Sequence, residues 1–217
     1  MKGNSRKMRR LWLMTVVLLL LSIPLASCGV SEPAPDPESL AILETTYGQI
    51  VIEFFAQDAP KHTANFQELA REGFYSGTRF HRVVKSAKDY IAIQGGDPNT
   101  ISGDPRTWGQ GQPGQKTVPA EFSKTLKHVR GIVSAARKSN DINSATSQFF
   151  ICSSPSPQWD GQYSIFGRVV EGMNIVDSIA RAPVFPNTDK PLDPVVVSRV
   201  YLVKRSEWKP GGNSAGQ

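Results

Sequence analysis

Three isolated polar side chains, Arg82, Gln94 and Gln148, stand in apolar stretches of this chain that have high β propensity. On a strand, each would present a long hydrogen-bond donor on the wall of an apolar pocket. The sequence has no recognisable Ser-His-Asp set, no Cys-His pairing and no clustered metal ligands. The predicted chemistry is therefore non-covalent and depends on positioning and on a guanidinium.

Arg82 needs the most explanation, because an arginine stays charged and its burial between Phe80 and Val84 would require acceptors or a ligand. A single arginine on a strand is by default a surface residue. The two glutamines and the neighbouring rings of Phe149 and Phe150 favour a ligand-binding role instead.

The elements that must position these residues are mostly strands. A helix is predicted from Pro60 to Gly73 and another over 173–181. Many strands, few helices and no βαβ alternation predict a mainly β fold, a closed eight-stranded antiparallel barrel capped by two α-helices. Two long loops, 97–119 and 137–147, flank the polar residues, as functional loops often do. The predicted strands lie at 41–45, 50–54, 80–84, 90–94, 131–136, 148–152, 164–170 and 194–203.

The N-terminus has the pattern of an export signal over residues 1–27, with basic residues followed by an apolar stretch over 11–21. A retained transmembrane helix is the weaker interpretation, because the stretch falls short of ~20 apolar residues. Residues 25–28 resemble the lipobox of bacterial lipoproteins, which would make Cys28 the lipidated first residue; an incidental thiol is the alternative.

The remaining chain divides into three predicted parts: a flexible Pro-rich tether over 28–39, a single domain over 40–205 and a flexible tail over 206–217. Five of the 25 basic residues lie in the signal, which leaves 20 against 19 acidic residues. This near-neutral balance argues against nucleic acid as a partner. Cys152 is predicted to be a buried free thiol.

Two other motifs are rejected. The glycine-rich stretch 109–114 matches a dinucleotide-binding pattern, but it lies among prolines rather than between a strand and a helix. The histidines His62, His81 and His128 have no ligand-spaced partners, so no metal site is predicted. By alternation, His81 points away from Arg82 and is expected to be packed or bonded to the backbone.

Five stretches, found in the same order along the domain, resemble the signatures of cyclophilin-type peptidyl-prolyl cis-trans isomerases. They are 80–84 (FHRVV), 94–98 (QGGDP), 118–122 (VPAEF), 147–151 (SQFFI) and 166–173 (FGRVVEGM). The resemblance implies a cyclophilin-like barrel in which Arg82 is catalytic and Phe150 forms the floor of a proline pocket. The other residues that we expect in substrate binding are Phe80, Tyr90, Ile91, Ala92, Gln94, Ala136, Gln148, Trp159 and Tyr163.

The chain departs from the family pattern in several places. The segment between Arg82 and Gln94 is about four residues longer than usual, so either Tyr90 or Ile91 could replace the pocket phenylalanine of the family. Ala92 stands where methionine is common. Trp159 replaces a frequent leucine, Tyr163 replaces a frequent histidine, and the loop 137–144 is longer and carries Arg137-Lys138 in place of asparagines.

The expected function is isomerisation of X-Pro bonds in exported, proline-containing proteins, by a monomer without cofactor or metal. The protein would be held to a bacterial membrane by its lipid, with the domain on the extracytoplasmic or periplasmic side. A proline-recognising binding module or holdase with weak or no turnover is the alternative. A purely structural envelope lipoprotein is the third hypothesis, and it would not require the polar donors.

Overall fold

The computed structural model describes residues 34–85 and 90–211, with only the backbone of Tyr90. Several predictions therefore lie outside the described residues. They are the signal over 1–27, the lipidated Cys28 with the first part of the tether, the inserted residues 86–89, the side chain of Tyr90 and the tail from 212 onward.

Eight strands and three α-helices make up the described chain, and all strand pairs are antiparallel. This confirms the mainly β prediction and the number of strands. Helices α1 and α3 are the two predicted helices, whereas the single turn α2 lies inside the predicted loop 97–119. The strands are β1 (Ser39–Thr45), β2 (Gly48–Phe54), β3 (Arg82–Lys85), β4 (Tyr90–Gly95), β5 (Ile132–Ala135), β6 (Phe149–Cys152), β7 (Ile165–Glu171) and β8 (Val197–Lys204), and the helices are α1 (Pro60–Arg71), α2 (Asn99–Ser102) and α3 (Met173–Ala180).

The sheet curls into a half-barrel and does not close, so the prediction of a closed barrel is wrong. Its strand order is β3-β4-β6-β5-β7-β2-β1-β8, and no ladder joins β3 to β8 in the described chain. The segments next to the two edges are linked by an isolated bridge between Arg79 and Val196 and by backbone hydrogen bonds such as that from the Phe80 N–H to the Val195 carbonyl, at 3.0 Å. The Val83 N–H of β3 donates instead to the backbone oxygen of Asp189, at 2.7 Å. Strand propensity predicts how many strands form, but the pairing of the two edges depends on the connecting loops.

The concave side of the sheet holds the main core, which α1 covers. Pro60 begins α1, where its missing N–H costs nothing. Phe66 of α1 stacks on Tyr75 with ring centroids 4.8 Å apart and meets Phe149 of β6 at 5.5 Å. These rings are almost fully buried, so they provide much of the apolar area that holds helix and sheet together.

Described residues just outside each end of the predicted domain contact it. Gln67 exchanges two hydrogen bonds with the backbone of Asp36, at 2.9 and 2.8 Å, so the tether is anchored before residue 39. Trp208 packs against Leu40 and its outer-face neighbours, so the tail is not free from residue 206. Within the described residues of these segments, Asp36 and Trp208 therefore contact the domain.

Candidate active site

One row of paired residues runs across four strands and contains most of the predicted polar chemistry. Arg82 of β3 pairs with Gln94 of β4, Gln94 pairs with Phe150 of β6, and Phe150 pairs with Ser134 of β5. Directly opposed residues of a sheet point to the same face. The strand register therefore brings the guanidinium, the amide and the ring together on the outer face of the half-barrel.

A cavity of about 450 Å³ opens on this face. A second hollow of about 350 Å³ adjoins it and is lined by Gln148 and by the glycine-rich loop 109–114. Their volumes are in the range of small-molecule and peptide sites. The predicted residues that line the first cavity are Arg82, Ala92, Gln94, Ala136, Phe150, Trp159 and Tyr163.

Three aromatic rings form the apolar part of the cavity. Trp159 and Tyr163 both meet Phe150 edge to face, with centroids at 5.0 and 5.3 Å. Phe150 is 6 % exposed and belongs to a cluster of buried apolar side chains separate from the main core. Edge-to-face packing holds each ring in one orientation, so the floor of the cavity is preformed.

Arg82 lies at the rim and has two kinds of partner. Its Nε and Nη2 atoms contact the same carboxylate oxygen of Asp189, at 3.0 and 2.8 Å. Its Nη1 atom makes only a long contact of 3.5 Å with the Gln94 side-chain oxygen. The Arg82 side chain is 48 % exposed, because the guanidinium reaches out over the cavity and is not buried between Phe80 and Val84.

The two glutamines form a connected pair beside Arg82. Gln94 donates from Nε2 to the Gln148 side-chain oxygen at 3.0 Å, and Gln148 donates to the Gly109 carbonyl at 3.1 Å. Buried Asp97 in turn accepts from the Gly109 and Gly111 N–H groups. The glycine-rich loop thus surrounds a carboxylate of its own chain and opens no helix, in agreement with its rejection as a nucleotide site.

The structure does not place every predicted residue in the cavity. Phe80 is fully buried in the main core, with its ring 6.0 Å from that of Phe149, and it does not line the cavity. Ile91 is half-buried and does not line the cavity, because alternation along β4 gives this face to Ala92 and Gln94. The prediction for the side chain of Tyr90 lies outside the described residues.

Several lining residues come from loops that sequence reasoning did not assign to the site. Trp108 arrives from the loop after α2, and Thr188, Asp189 and Lys190 arrive from the loop before β8. The loop that carries Trp108 was expected to lie near the polar residues, but nothing in the local sequence singles out Trp108 itself or the loop before β8, because these positions depend on how the loops fold back. Arg137 also lines the cavity, with its guanidinium carbon 4.8 Å from the Tyr163 ring centroid; its departure from the family pattern was the available signal.

A hydrogen-bonded Ser-His-Asp chain lies beneath the cavity, although the sequence offered no recognisable set. His128 contacts Ser134 through Nε2 and Asp160 through Nδ1, both at 3.1 Å. Its ring stacks at 6.0 Å on the far side of Phe150. Ser134 is fully buried, so the chain supports the cavity floor and has no access to a substrate.

Within these hydrogen-bonded residues, His128 is neutral and donates to the Asp160 carboxylate. Burial lowers the pKa of His128 below its ordinary value, although Asp160 opposes the shift. The pKa of Asp160 is also lowered, chiefly because the carboxylate accepts a hydrogen bond from the His128 backbone N–H. A neutral ring behind Phe150 keeps the apolar floor free of an unpaired charge.

His81 is buried, as predicted, yet it also contributes to the cavity wall. Its Nδ1 lies 3.4 Å from the Arg79 carbonyl, and its buried Nε2 has no hydrogen-bond partner in the described chain. Burial lowers the pKa of His81 to about 4. The imidazole is therefore neutral near pH 7.

Other candidate chemistry is limited. Among residues 34–85 and 90–211, no group of three or more histidines, cysteines, aspartates and glutamates is arranged to hold a metal ion. The same residues contain no helix with the length and hydropathy to span a membrane. Cys152 is a buried free thiol, as predicted, and burial raises its pKa to about 12.

Comparisons with known proteins agree with this geometry. Residues 40–202 match the family model described as cyclophilin-type peptidyl-prolyl cis-trans isomerase. A peptidyl-prolyl cis-trans isomerase of Dictyostelium discoideum is 40 % identical over 163 residues, which cover 73 % of this chain and 94 % of the relative. Peptidyl-prolyl cis-trans isomerase-like 1 of Homo sapiens is 38 % identical over 161 residues, which cover 73 % of this chain and 89 % of the relative.

A solved structure shares the fold. The crystal structure of a Cryptosporidium parvum cyclophilin-type isomerase, determined in the presence of the dipeptide Ala-Pro, has a TM-score of 0.66 and 31 % sequence identity. The match covers 76 % of this chain and 99 % of that one. Fold, family model and relatives agree, and the chain belongs to the cyclophilin-type peptidyl-prolyl cis-trans isomerase family.

Proposed function

We propose that this protein isomerises X-Pro bonds in exported proteins, with Arg82 as the catalytic residue. The row that joins Arg82, Gln94 and Phe150 carries the proposal, because it sets a guanidinium beside the apolar floor of an open cavity. The related Cryptosporidium parvum structure, obtained in the presence of Ala-Pro, supports a proline-containing substrate.

Such a site has only to stabilise the twisted form of an X-Pro bond. A peptide bond resists rotation by ~18–20 kcal/mol, because the nitrogen lone pair is delocalised into the carbonyl. As an X-Pro bond twists, the prolyl nitrogen regains its lone pair and can accept a hydrogen bond that the planar ground state cannot accept. Arg82 would donate this bond from its Nη1 edge, where the contact with Gln94 is long.

The remaining residues would bind and orient the substrate. Phe150, Trp159 and Tyr163 would hold the proline ring while the preceding carbonyl turns, and Gln94 with Gln148 would fix the neighbouring backbone. Ala136 already donates its N–H to the Gln148 carbonyl at 2.9 Å. Because that N–H is already used, the substrate backbone would hydrogen-bond to the Ala136 carbonyl. No covalent intermediate is required.

The test is an exchange measurement by NMR on an Ala-Pro peptide, with a form of the protein that begins at Val30. Arg82→Ala should lower kcat/KM by about two to three orders of magnitude, as expected for one lost preorganised donor. Arg71→Ala removes an exposed arginine at the end of α1 and should leave the rate unchanged. Equal rates for Arg82→Ala and the parent would remove Arg82 from the mechanism.

The location of the protein is a further part of the proposal. The signal over 1–27, the lipidation of Cys28 and the tether that precedes the domain would hold a monomer to the outer side of a bacterial cell membrane or within the periplasm. Cys28→Ser should release the protein from the membrane fraction and leave isomerase activity intact. Unchanged fractionation would contradict the lipid anchor.

One observation favours the alternative of a proline-binding module or holdase. The Arg82 guanidinium already has an anionic partner, Asp189, and if its remaining Nη1 atom kept its contact with Gln94 instead of reaching the prolyl nitrogen, the site would bind proline without promoting rotation. The same NMR measurement separates the two functions. A binder would shift the signals of both peptide isomers and would not accelerate their exchange.

A further inference from the structure

We propose that Asp189 is a positioning residue for Arg82, held by the loop over 183–193, which we call the aspartate loop. The inference rests on the proposed catalytic role of Arg82. The Asp189 carboxylate would bind one edge of the guanidinium and leave the other edge turned toward the substrate.

The contacts divide the guanidinium into two edges. Nε and Nη2 both lie within 3.0 Å of one Asp189 carboxylate oxygen, which fixes the plane of the group. Nη1 lies on the other side, where its contact with Gln94 is 3.5 Å. An arginine side chain has many rotamers, and catalysis by a hydrogen bond to a transient lone pair needs one of them. The carboxylate selects the rotamer before the substrate arrives.

The position of the carboxylate is itself determined by the backbone. The Asp189 carbonyl accepts the Val83 N–H at 2.7 Å, so the aspartate loop is joined to the residue that directly follows Arg82 in β3. Lys190 donates from Nζ to the Pro105 carbonyl at 2.8 Å and holds the loop from its other side. Asp189 is thus attached to the same strand as the group that it orients.

The charges around Asp189 fit a role in positioning Arg82, and not a role in neutralising the cavity or in stabilising the fold. Asp189 is the single acidic side chain among the described residues that line the cavity, where Arg137 and Lys190 contribute further positive charge. Both partners of the pair are partly exposed, 48 % for Arg82 and 39 % for Asp189. Such pairs contribute little to folding stability, so the loss of Asp189 should be visible in catalysis rather than in thermal unfolding.

A double-mutant cycle on the form that begins at Val30 tests the proposal, with the same NMR exchange measurement at high enzyme concentration. Asp189→Ala should lower kcat/KM about tenfold, mainly through kcat, and Asp189→Asn, which keeps an acceptor oxygen, about threefold. In the Arg82→Ala background, Asp189→Ala should change kcat/KM by less than about twofold, because the group that it orients is absent. Asp193→Asn removes an exposed negative charge from the same loop and should have no effect.

Each corner of the cycle has a distinct meaning. Full activity of Asp189→Ala would overturn the positioning role while Arg82 kept its own. An equal loss in both backgrounds would also overturn it, because Asp189 would then act on the loop or the fold. If Arg82→Ala alone had full activity, the catalytic proposal and this inference would both be wrong. Asp189→Asn keeps the test decisive if the alanine variant unfolds.

Discussion

The two faces of β6 carry adjacent phenylalanines with opposite tasks. Phe149 points into the half-barrel and packs on Phe66 and Tyr75, with ring centroids at 5.5 and 5.9 Å. Phe150 points outward and forms the floor of the open cavity, between Trp159 and Tyr163. One peptide bond separates a residue of the core from a residue of the site, because successive side chains of a strand face opposite ways.

The two faces also treat polar groups differently. The concave face is filled by apolar side chains, whereas on the outer face Gln94 contacts both Arg82 and Gln148 beside an apolar floor. A binding face can keep such groups because its cavity admits water or a ligand. An apolar strand sequence therefore does not show that both faces of the sheet are packed equally closely.

The largest expected difference between the faces is in stability. Phe149→Ala should lower the free energy of unfolding by about 3–5 kcal/mol, because it leaves an enclosed void. Phe150→Ala should cost only about 1.5–3 kcal/mol, the transfer term alone, because the open cavity simply enlarges. The order should reverse for catalysis, where Phe150→Ala should lower kcat/KM at least about tenfold through the loss of the proline floor.

Urea unfolding and NMR exchange measured on the same samples provide both quantities. Tyr47→Ala is the matched control, because Tyr47 is an aromatic residue that is 46 % exposed in the turn after β1. It should change neither the stability nor the rate. Equal costs for Phe149→Ala and Phe150→Ala in both measurements would remove the distinction between the faces.

The free energy of unfolding should depend on pH through His81, a buried residue that also contributes to the cavity wall. Burial lowers its pKa from 6.5 to about 4, so the folded protein keeps the ring neutral while the unfolded chain protonates it near 6.5. The stabilising contribution is complete above pH 6.5 and is lost as the pH falls toward 4. The difference between the two pKa values corresponds to about 3 kcal/mol.

The measurement is the free energy of unfolding between pH 7 and pH 4 for the parent and for His81→Gln. Other groups, His128 among them, titrate in both proteins, so the difference between the two curves isolates His81. The difference in free energy of unfolding between the parent and His81→Gln should change steeply below about pH 6.5 and stay constant above it. Parallel curves throughout would show that the buried imidazole titrates as it does in the unfolded chain.

The smallest expected effect concerns the support beneath Phe150. Asp160→Asn keeps an acceptor for the backbone and ring N–H groups of His128 but removes the negative charge, which should cost about 1 kcal/mol of stability. The rate should fall about twofold to fivefold, since the Phe150 ring loses part of its fixed support. Thermal unfolding and the exchange measurement would check both quantities. A loss of kcat/KM as large as that of Phe150→Ala would make the hydrogen-bonded Ser-His-Asp residues part of the catalytic machinery.

Much of the fold and part of the site were predictable from local sequence. Every predicted strand was found, because β-branched and apolar runs with turn residues between them specify strands locally. Phe150 lines the cavity, but Phe80 and Ile91 do not, because one-residue alternation decides which neighbour faces outward. The loop of Trp108 was singled out but not this residue of it, and Asp189 could not be assigned, because it arrives from a loop distant in sequence.

By itself, the sequence determined the family, the number and antiparallel nature of the strands, and the three polar residues that apolar strands would carry. Only the tertiary structure decided that the half-barrel stays open between β3 and β8, that the strand register aligns Arg82 with Gln94 and Phe150, and that Asp189 meets the guanidinium. The reason is physical: strand formation follows from local propensity and burial, whereas register, edge pairing and loop placement depend on contacts between residues far apart in the chain.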